Sequence, residues 1–453
     1  MSASLRVLRL ALLGASVALG ACEGGAETGS GGAGGGGTTT PTDTEVTRPA
    51  DPAQNDAAFG VVGAPRYLLA GDDLTPPTAS FELRVTAPEG VTEVDLWLDD
   101  AEVMPLEKDG GDFVVTVDAT GLAIGEHSLM LAERGAEQGF HRVDFVKGHA
   151  LYVMISTDWD FSDVADVVLD HHEMFHAAHP ELKITHLIGP YTYTDPAVPQ
   201  ARRDEITAWA KGMRDGHGDE IGLHVHPRCN FVEAAGLTCL TQPSVAYTMG
   251  DPTGYTVRLG AYPREDWDVM FAKAHEIWES VGFAKATSFR AGAWTLELHV
   301  AQALADAGFV ADSSAVNWPY LEEWEGQDLY SWNQEQWGPI GDTSQPYYPT
   351  DDSILPGGKG GPLSMLEVPD NGIMVDYWTV EEMTAIFDAN WSGEALAAPT
   401  QVSTGFHPAP QQYYSPDEYE RLEALFTYVD QLLASKMAGP VVYIRMSDAA
   451  KVW

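Results

Sequence analysis

Two aspartates and two histidines, each pair spaced two residues apart, stand where predicted strands end. Asp158 and Asp160 follow the apolar run 151–156, and His224 and His226 stand at the end of a second apolar run. Residues two apart on a strand point to the same side, so both members of each pair can face the same space. Two imidazoles and one carboxylate form a three-ligand metal set that leaves a position open for water or substrate. The spacing therefore predicts a metal site.

The remaining aspartate and a distant histidine would complete a hydrolytic set. A metal ion lowers the pKa of a bound water to about 7, so that the second aspartate can serve as base. A histidine on another strand can protonate the leaving amine. Arg290, at the end of a further predicted strand, can orient the base through a bidentate pair. The alternative is that the histidines are hydrogen-bonded strand ends and the aspartates are loop caps.

Parallel strands joined by helices would bring these side chains together. From His149 onward, apolar runs alternate with longer segments of helical character, which is typical of βα units. Seven or eight such units close most naturally into a barrel, and the C-terminal ends of its strands meet at one mouth, where active sites lie. The predicted fold class of 149–453 is therefore α/β, a distorted (β/α)7-8 barrel. The predicted strands are 151–155, 183–187, 221–225, 287–290, 309–313, 365–368, 404–407 and 441–445, and the predicted helices are 162–178, 201–215, 264–281, 296–307 and 416–435.

Two long irregular stretches, 228–262 and 315–362, would form loops over that mouth. They are rich in Trp, Tyr, Pro and Gly. Aromatic rings in such loops can stack on sugars, or they can pin the loops to the barrel, and both interpretations stay open.

A second domain with a different periodicity precedes the barrel. Between 65 and 147, short runs alternate apolar and polar residues and are separated by Gly and Asp turns. This pattern predicts an all-β sandwich. The stretch 121–127 resembles bacterial immunoglobulin-like modules, so we expect an Ig-like domain that acts as a spacer or as a binding module.

The order of motifs along 149–453 resembles the polysaccharide deacetylase superfamily, most closely its branch with an Arg-Ala-Gly-x-Trp motif. The motifs are Thr-Asp-x-Asp at 157–160, Gly-x-His-x-His-Pro at 222–227, Phe-Arg-Ala-Gly-x-Trp at 289–294, Asp-Ser-Ser at 312–314, Glu-Val-Pro at 367–369 and Gly-Phe-His-Pro at 405–408.

This resemblance implies an activity and a role for each motif residue. The activity is the removal of N- or O-acetyl groups from a polysaccharide with a divalent metal ion, which we expect to be zinc. The implied roles are base for Asp158, metal ligand for Asp160, His224 and His226, tethering of the base for Arg290, acid for His407, and substrate binding for Trp159, Trp294 and Asp312.

The chain departs from the common family pattern in two places. Trp159 separates two aspartates that are adjacent in typical members, and the position of their second metal-binding histidine is occupied by Arg228. Unless His226 replaces that histidine, the metal would have two protein ligands. A catalytically inactive carbohydrate-binding lipoprotein on the same barrel is therefore an alternative function.

A third possible function comes from the first predicted helix. The segment from His172 to His176 matches His-Glu-x-x-His, in which two histidines on one helix face bind zinc and the glutamate, here Glu173, acts as base of a protease. Leu182 stands where the longer protease signature has a third histidine. The segment also reads as an ordinary barrel helix.

The first residues predict export and lipid anchoring. Arg6 and Arg9 precede the apolar segment 10–19, and a small-residue site ends in Cys22, an arrangement that resembles the bacterial lipoprotein signal. We expect a signal peptide at 1–21, lipidation of Cys22, and a flexible Gly/Thr/Pro tether at 22–60. The protein would then be anchored to a cell-envelope membrane, either periplasmic or on the cell surface.

Charge and cysteine content limit the partners. The formal net charge of −42 argues against nucleic acid as a partner and leaves the lipid anchor as the only expected membrane contact. We expect a monomer that binds a polysaccharide. With Cys22 assigned to lipid, Cys229 and Cys239 remain, and an even pair outside the cytoplasm most simply forms a disulfide.

Overall fold

The computed structural model describes residues 47–248 and 251–453. The predicted signal peptide, Cys22 and most of the predicted tether lie outside the described residues. Within the described part of the chain, no helix has the length and apolar character needed to cross a membrane.

The N-terminal part contains two small sheets around one apolar core. One sheet has the strand order β1-β3-β7-β6 and the other β2-β9-β8-β4-β5. Alternate residues of β3, such as Phe81, Leu83 and Val85, are buried in this core, as their spacing predicts. The relationship to Ig-like modules remains a prediction. The strands are β1 Gly60–Val62, β2 Tyr67–Leu69, β3 Ser80–Thr86, β4 Val94–Leu98, β5 Glu102–Pro105, β6 Glu107–Asp109, β7 Asp112–Asp118, β8 Gly125–Glu133 and β9 His141–Gly148.

The predicted C-terminal boundary of the tether, residue 60, lies too far along the chain. Ala50 forms a β-bridge with Gln138, and the ring of Phe59 stacks on that of Phe140 at 3.7 Å between centroids. Residues 47–60 therefore belong to the folded N-terminal part. Their low apolar periodicity concealed this, because single contacts rather than a regular element hold them.

The C-terminal part is a mixed α/β structure built on one curled parallel sheet. The sheet has eight strands in the order β15-β14-β13-β12-β11-β10-β16, with β17 also paired to β10. All eight residues of β10 are buried, as expected for a central parallel strand covered on both faces. The strands are β10 Leu151–Asp158, β11 Ile184–Ile188, β12 Glu220–Val225, β13 Ser288–Ala291, β14 Ala311–Asp312, β15 Leu366–Glu367, β16 Thr400–Phe406 and β17 Val441–Tyr443.

Amphipathic helices cover the outer face of this sheet. Helix α5 buries residues spaced by three and four positions, namely Trp267, Met270, Phe271, Ala274, Ile277 and Trp278. The α-helices are α1 Asp166–Ala178, α2 Tyr191–Thr194, α3 Gln200–His217, α4 Cys229–Ala234, α5 Arg264–Val281, α6 Leu298–Ala307, α7 Asp328–Gln336, α8 Val380–Asn390 and α9 Pro416–Val429.

An irregular segment, not a strand pair, spans the gap between β15 and β16. Gly372 N donates to Ser403 O at 2.7 Å, and Gly405 N donates to Ile373 O at 3.2 Å. The side-chain oxygen of Asn371 accepts from Ser403 N at 2.9 Å. This segment carries Asp370 next to Arg290 and Asp376 next to His407, at the C-terminal ends of the strands.

The N-terminal sheets contact the opposite, N-terminal side of the barrel. The hydroxyl of Tyr152, near the start of β10, lies 2.9 and 2.7 Å from the two carboxylate oxygens of Asp72. Tyr67 donates to the carbonyl oxygen of His149 at 2.8 Å. Both contacts lie on the side of the sheet away from the C-terminal strand ends.

Candidate active site

Three potential metal ligands meet at the end of β10 and β12. Nε2 of His224 lies 3.0 Å and Nε2 of His226 lies 3.1 Å from the same oxygen, Oδ1 of Asp160. Both imidazoles are buried, at 1% and 2% exposure. The structure thus brings together the three residues predicted as ligands. His226 is one of them, whereas Arg228, at the position of the family's second histidine, is not.

The second nitrogen of each imidazole fixes which atom faces the aspartate. Nδ1 of His224 lies 3.1 Å from the carbonyl oxygen of Arg290, and Nδ1 of His226 lies 2.7 Å from that of Tyr255. A carbonyl oxygen can only accept, so Nδ1 carries the hydrogen on both rings and a neutral ring presents a lone pair at Nε2. Two such lone pairs and a carboxylate oxygen converge on one point, which favours a cation between them.

This donor set fits a divalent metal such as zinc. Zinc bonds of about 2.0–2.2 Å in a tetrahedral arrangement hold neighbouring ligand atoms roughly 3.3 Å apart, close to the separations found here. Burial lowers the pKa of His226, which favours the neutral imidazole that metals bind. Burial opposes ionisation of Asp160, but in the metal-free site, where the rings of His226 and His224 can be protonated, their charge and hydrogen bonds hold its pKa well below the usual range.

Asp158 lies beside these ligands and is oriented by Arg290. The guanidinium is completely buried, and its Nη1 donates to Oδ1 of Asp158 at 3.1 Å. Further bonds to Ser156 Oγ, Ser313 O and Ser313 Oγ, at 2.7–2.8 Å, hold the arginine in place. Arg290 therefore contacts only one oxygen of Asp158, not both as a bidentate pair would, because its other donors bind Ser156 and Ser313.

Further buried acidic residues lie near the site, with Asp370 next to Arg290 and Glu367 next to Asp312. Oδ1 of Asp370 lies 3.6 Å from Nη2 of Arg290. Burial raises the pKa of Asp370 to about 6, although the arginine opposes this shift. Burial next to Asp312 raises the pKa of Glu367 well above its usual range, so this carboxyl group holds a proton.

His407 follows β16 and pairs with a carboxylate from the irregular segment. Its Nδ1 donates to Oδ2 of Asp376 at 2.8 Å. Burial alone would lower the pKa of His407, but the charge of Asp376 and this hydrogen bond raise it to about 10. The imidazole is therefore protonated at neutral pH and can donate a proton from Nε2.

One pocket at the strand ends collects most of these groups. Its volume is about 190 Å³, and six of the predicted site residues line it, namely Asp158, Asp160, His224, His226, Trp294 and His407. The other aromatic residues of the wall are Tyr247, Tyr255, Trp324 and Tyr377. Arg290 stands behind Asp158 and does not line the pocket.

Two residues predicted to bind substrate are not in this pocket. The side chain of Trp159 is fully buried, with Nε1 donating to Thr157 Oγ1 at 3.2 Å and the ring packed against Trp209. Asp312 is also fully buried and accepts from Ser314 Oγ at 2.8 Å. Neither has surface to offer a sugar, so their assignment to substrate binding is corrected.

Comparison with known proteins gives matches among solved structures. No family model and no curated protein matches the sequence. A provisionally assigned polysaccharide deacetylase from Mycobacterium smegmatis is 14% identical, with a TM-score of 0.39 over 67% of this chain and 90% of that chain. A provisionally assigned glycoside hydrolase/deacetylase from Parabacteroides distasonis is 12% identical, with a TM-score of 0.43 over 68% of this chain and 71% of that chain.

The family 4 carbohydrate esterase from Streptomyces lividans, solved with acetate, also matches. It is 7% identical, with a TM-score of 0.30 over 65% of this chain and 91% of that chain. The structural neighbours thus include deacetylases and carbohydrate esterases. At these identities and TM-scores, the matches carry no argument about the function of this chain.

The His-Glu-x-x-His segment does not form a second metal site. In α1, Nδ1 of His172 donates to Val168 O at 2.7 Å, whereas Nε2 of His176 lies 2.8 Å from Oδ2 of Asp219. Both histidines are buried in the barrel wall, and the side chain of Glu173 is 57% exposed. These contacts contradict the protease interpretation, since the two imidazoles serve separate structural partners.

Several site residues were not predicted from the sequence. Asp370 and Asp376 come from the irregular segment that replaces a strand pair, and Tyr255 comes from the loop after α4. Little in the sequence indicated them, because irregular segments have no hydrophobic periodicity that would place their residues. Tyr255 stands in the predicted mouth loop 228–262, whose aromatic content was the only indication.

Close packing of Gly292 against His226 predicts a measurable effect of adding one carbon atom. A Cβ at this position would lie 2.6 Å from Cγ and Nδ1 of His226, so the imidazole would have to move. We expect Gly292→Ala to weaken zinc binding by on the order of 10-fold, as changes next to a ligand do. Competition with a chromogenic chelator measures this. Gly212→Ala, where an added Cβ meets no atom within 4 Å, is the control, and equal affinities in both variants would contradict the prediction.

The pairing of His407 with Asp376 is expected to set the pH above which activity falls. If protonated His407 is the acid, activity falls as the pH rises through its pKa of about 10. Asp376→Asn removes the charge that raises this pKa, so we expect the alkaline limb of the pH–kcat profile to move to lower pH. Asp388→Asn, at an exposed position of α8, is the control. An unshifted limb in Asp376→Asn would show that His407 is not the group that sets it.

Proposed function

We propose that this protein is a metal-dependent hydrolase that removes acetyl groups, from nitrogen or oxygen, from a polysaccharide. The observation that carries the proposal is the convergence of Asp160 Oδ1, His224 Nε2 and His226 Nε2 in one pocket with Asp158 and His407. A cation site beside a tethered carboxylate and a protonated imidazole supplies the groups that hydrolysis of an amide or ester needs.

The residues divide the proton transfers between them. Asp160, His224 and His226 would hold a divalent metal, which would supply Lewis-acid activation of water and of the acyl carbonyl group. Asp158, oriented by Arg290, accepts the proton of the attacking water. His407, held by Asp376, donates a proton to the leaving nitrogen or oxygen as the bond to the acyl carbon breaks. One water is consumed, and a carboxylic acid and an amine or alcohol are released.

The pocket supports a small acyl group on a sugar. A volume of about 190 Å³ accommodates an acetyl group and part of one sugar ring. Trp324 and Tyr377 supply aromatic surface at the wall, and such faces pack well on sugar rings. All the proposed catalytic groups come from one chain, so we propose that a monomer is active.

Acetate release from defined oligomers tests this function. The full chain, loaded with zinc, is incubated with an N-acetylated amino-sugar oligomer and with an O-acetylated xylan oligomer, and free acetate is measured. We expect release from at least one substrate, loss of release after chelation, and recovery when zinc is restored. Glycan binding without acetate from either oligomer would instead identify an inactive carbohydrate-binding protein.

Lipid anchoring through Cys22 is a separate part of the proposal. Its support is the sequence pattern around that residue, which lies outside the described part of the chain. Acyl chains would provide the main membrane affinity, so Cys22→Ser is expected to move the protein from the detergent phase to the aqueous phase. Phase partitioning of the expressed full chain measures this. Unchanged partitioning would argue against lipidation, and Cys239→Ser controls for loss of a cysteine elsewhere.

A further inference from the structure

Tyr255 contacts two of the three proposed metal ligands at once. Its hydroxyl donates to Oδ2 of Asp160, and its carbonyl oxygen accepts from Nδ1 of His226 at 2.7 Å. Its ring also stacks on the imidazole of His226, with centroids 4.1 Å apart and planes 25° apart. One residue thus fixes the carboxylate and the imidazole from different sides.

These contacts decide which atoms remain free for a cation. Because the hydroxyl of Tyr255 occupies Oδ2 of Asp160, the other oxygen, Oδ1, is left facing the two imidazoles. Because the carbonyl oxygen of Tyr255 holds Nδ1–H of His226, the ring presents Nε2. Partners of this kind around metal ligands typically change metal affinity by 10–100-fold when removed.

Arg228 supports Tyr255 where the resemblance leads one to expect a metal-binding histidine. Its guanidinium lies over the rings of Tyr255 and Tyr191, at 4.5 and 5.1 Å from their centroids. Its Nη2 also donates to the backbone oxygen of Asp160 at 2.7 Å. Arg228 therefore packs the phenol ring against the ligands without joining them.

The disulfide lies under the loop that carries Tyr255. The structure pairs Cys229 with Cys239, as predicted, with their Cα atoms 5.0 Å apart. Cys229 N donates to Thr253 O at 2.7 Å. Gly254, at φ +81°, packs so closely that a Cβ there would lie 2.4 Å from Pro227 O and 3.1 Å from Cys239 Sγ. The disulfide thus packs against the turn that precedes Tyr255.

We propose that Tyr255 is the positioning residue of the metal site and that the Cys229–Cys239 bond holds it in place, so that metal affinity depends on this disulfide. The inference rests on the metal site of the proposed function, but not on the acetate chemistry. It assigns a role in metal binding to a loop that carries no metal ligand itself.

Zinc titration of the full chain tests the role of the hydroxyl. Tyr255→Phe keeps the ring and the backbone carbonyl and removes only the bond to Asp160. We expect its dissociation constant for zinc, measured by chelator competition, to rise by about 10–100-fold. Tyr262→Phe is the matched control, because Tyr262 OH accepts from Leu240 N at 2.8 Å in the same loop region without touching a ligand. Unfolding temperatures of the metal-free proteins separate a loss of affinity from a loss of folding.

The disulfide is tested with the double variant Cys229→Ser/Cys239→Ser. We expect a similar rise in the zinc dissociation constant. We also expect Tyr255→Phe to have a smaller effect in that background than in the wild type, because the disulfide acts through the hydroxyl that this substitution removes. Wild-type zinc affinity in either variant overturns the inference. Zinc binding that follows these expectations in a protein without acetate release would leave the inference standing and reject the proposed activity.

Discussion

Asp158→Asn is expected to lower acetate release by about 10²–10⁴-fold while zinc remains bound. Asparagine keeps the shape of the side chain, and its oxygen can still accept from Nη1 of Arg290, but it cannot take a proton from water. The ligand atoms on Asp160, His224 and His226 are untouched. Measuring kcat together with the zinc content of the same preparation separates the two effects.

Glu173→Gln is the matched control for Asp158→Asn. It makes the same carboxylate-to-amide change at an exposed position of α1, where we expect neither activity nor zinc content to change. The protease hypothesis predicts the opposite pair of results. Full activity in Asp158→Asn would remove this residue from the mechanism, and full zinc loss would show that it is a ligand rather than the base.

His224→Ala is expected to abolish both zinc binding and acetate release. It leaves one carboxylate and one imidazole, a set that holds a divalent ion poorly. The dissociation constant for zinc should therefore rise by more than about 100-fold, the upper end of what changes around a ligand produce. Equilibrium dialysis against zinc, followed by the acetate assay on the same samples, measures both.

A histidine outside the pocket controls for the loss of an imidazole. His217 ends α3, and its side chain is 33% exposed, so we expect His217→Ala to bind zinc like the wild type. Because His224 is buried, the unfolding temperature of the metal-free variant must be compared with that of wild type. A folded His224→Ala protein with unchanged zinc affinity would place the metal elsewhere.

Local spacing predicted that Asp160, His224 and His226 lie together, because strand geometry alone places these side chains. The two-residue period turns both members of each Asp and His pair to one side, and parallel pairing of β10 and β12 through β11 brings the strand ends together. The same period places Trp159 on the opposite side from Asp158 and Asp160. Its assignment to substrate binding was therefore inconsistent with the spacing that identified its neighbours.

Asp312 shows a different limit of sequence interpretation. It stands at the C-terminal end of β14, as an active-site residue of a barrel would. Its burial beside Glu367 depends on how tightly the sheet curls, which the sequence of a single strand does not specify. The residues that hold His407 and His226 come from irregular segments, where long-range packing alone decides the position.

Helix α8 was missed although a local signal marked its start. Thr379 accepts from Glu382 N, and the Glu382 side chain accepts from Thr379 N at 2.7 Å, which is a capping box. The pattern Thr-x-x-Glu is present in the sequence, but the residues after it belong to neither of the flanking predicted helices, 296–307 and 416–435. Recognising it would have placed a helix between β15 and β16 and so directed attention to the segment that carries Asp376.

The contact between Tyr152 and Asp72 has a consequence for access to large substrates. Tyr152 is the second residue of β10 and Asp158 is the last, so about 20 Å of strand separates the N-terminal sheets from the pocket. Ala50, near the start of the described residues, is bridged to Gln138 in the same N-terminal part. The N-terminal sheets therefore do not cover the mouth of the pocket. A long polymer could then lie across the mouth without meeting those sheets.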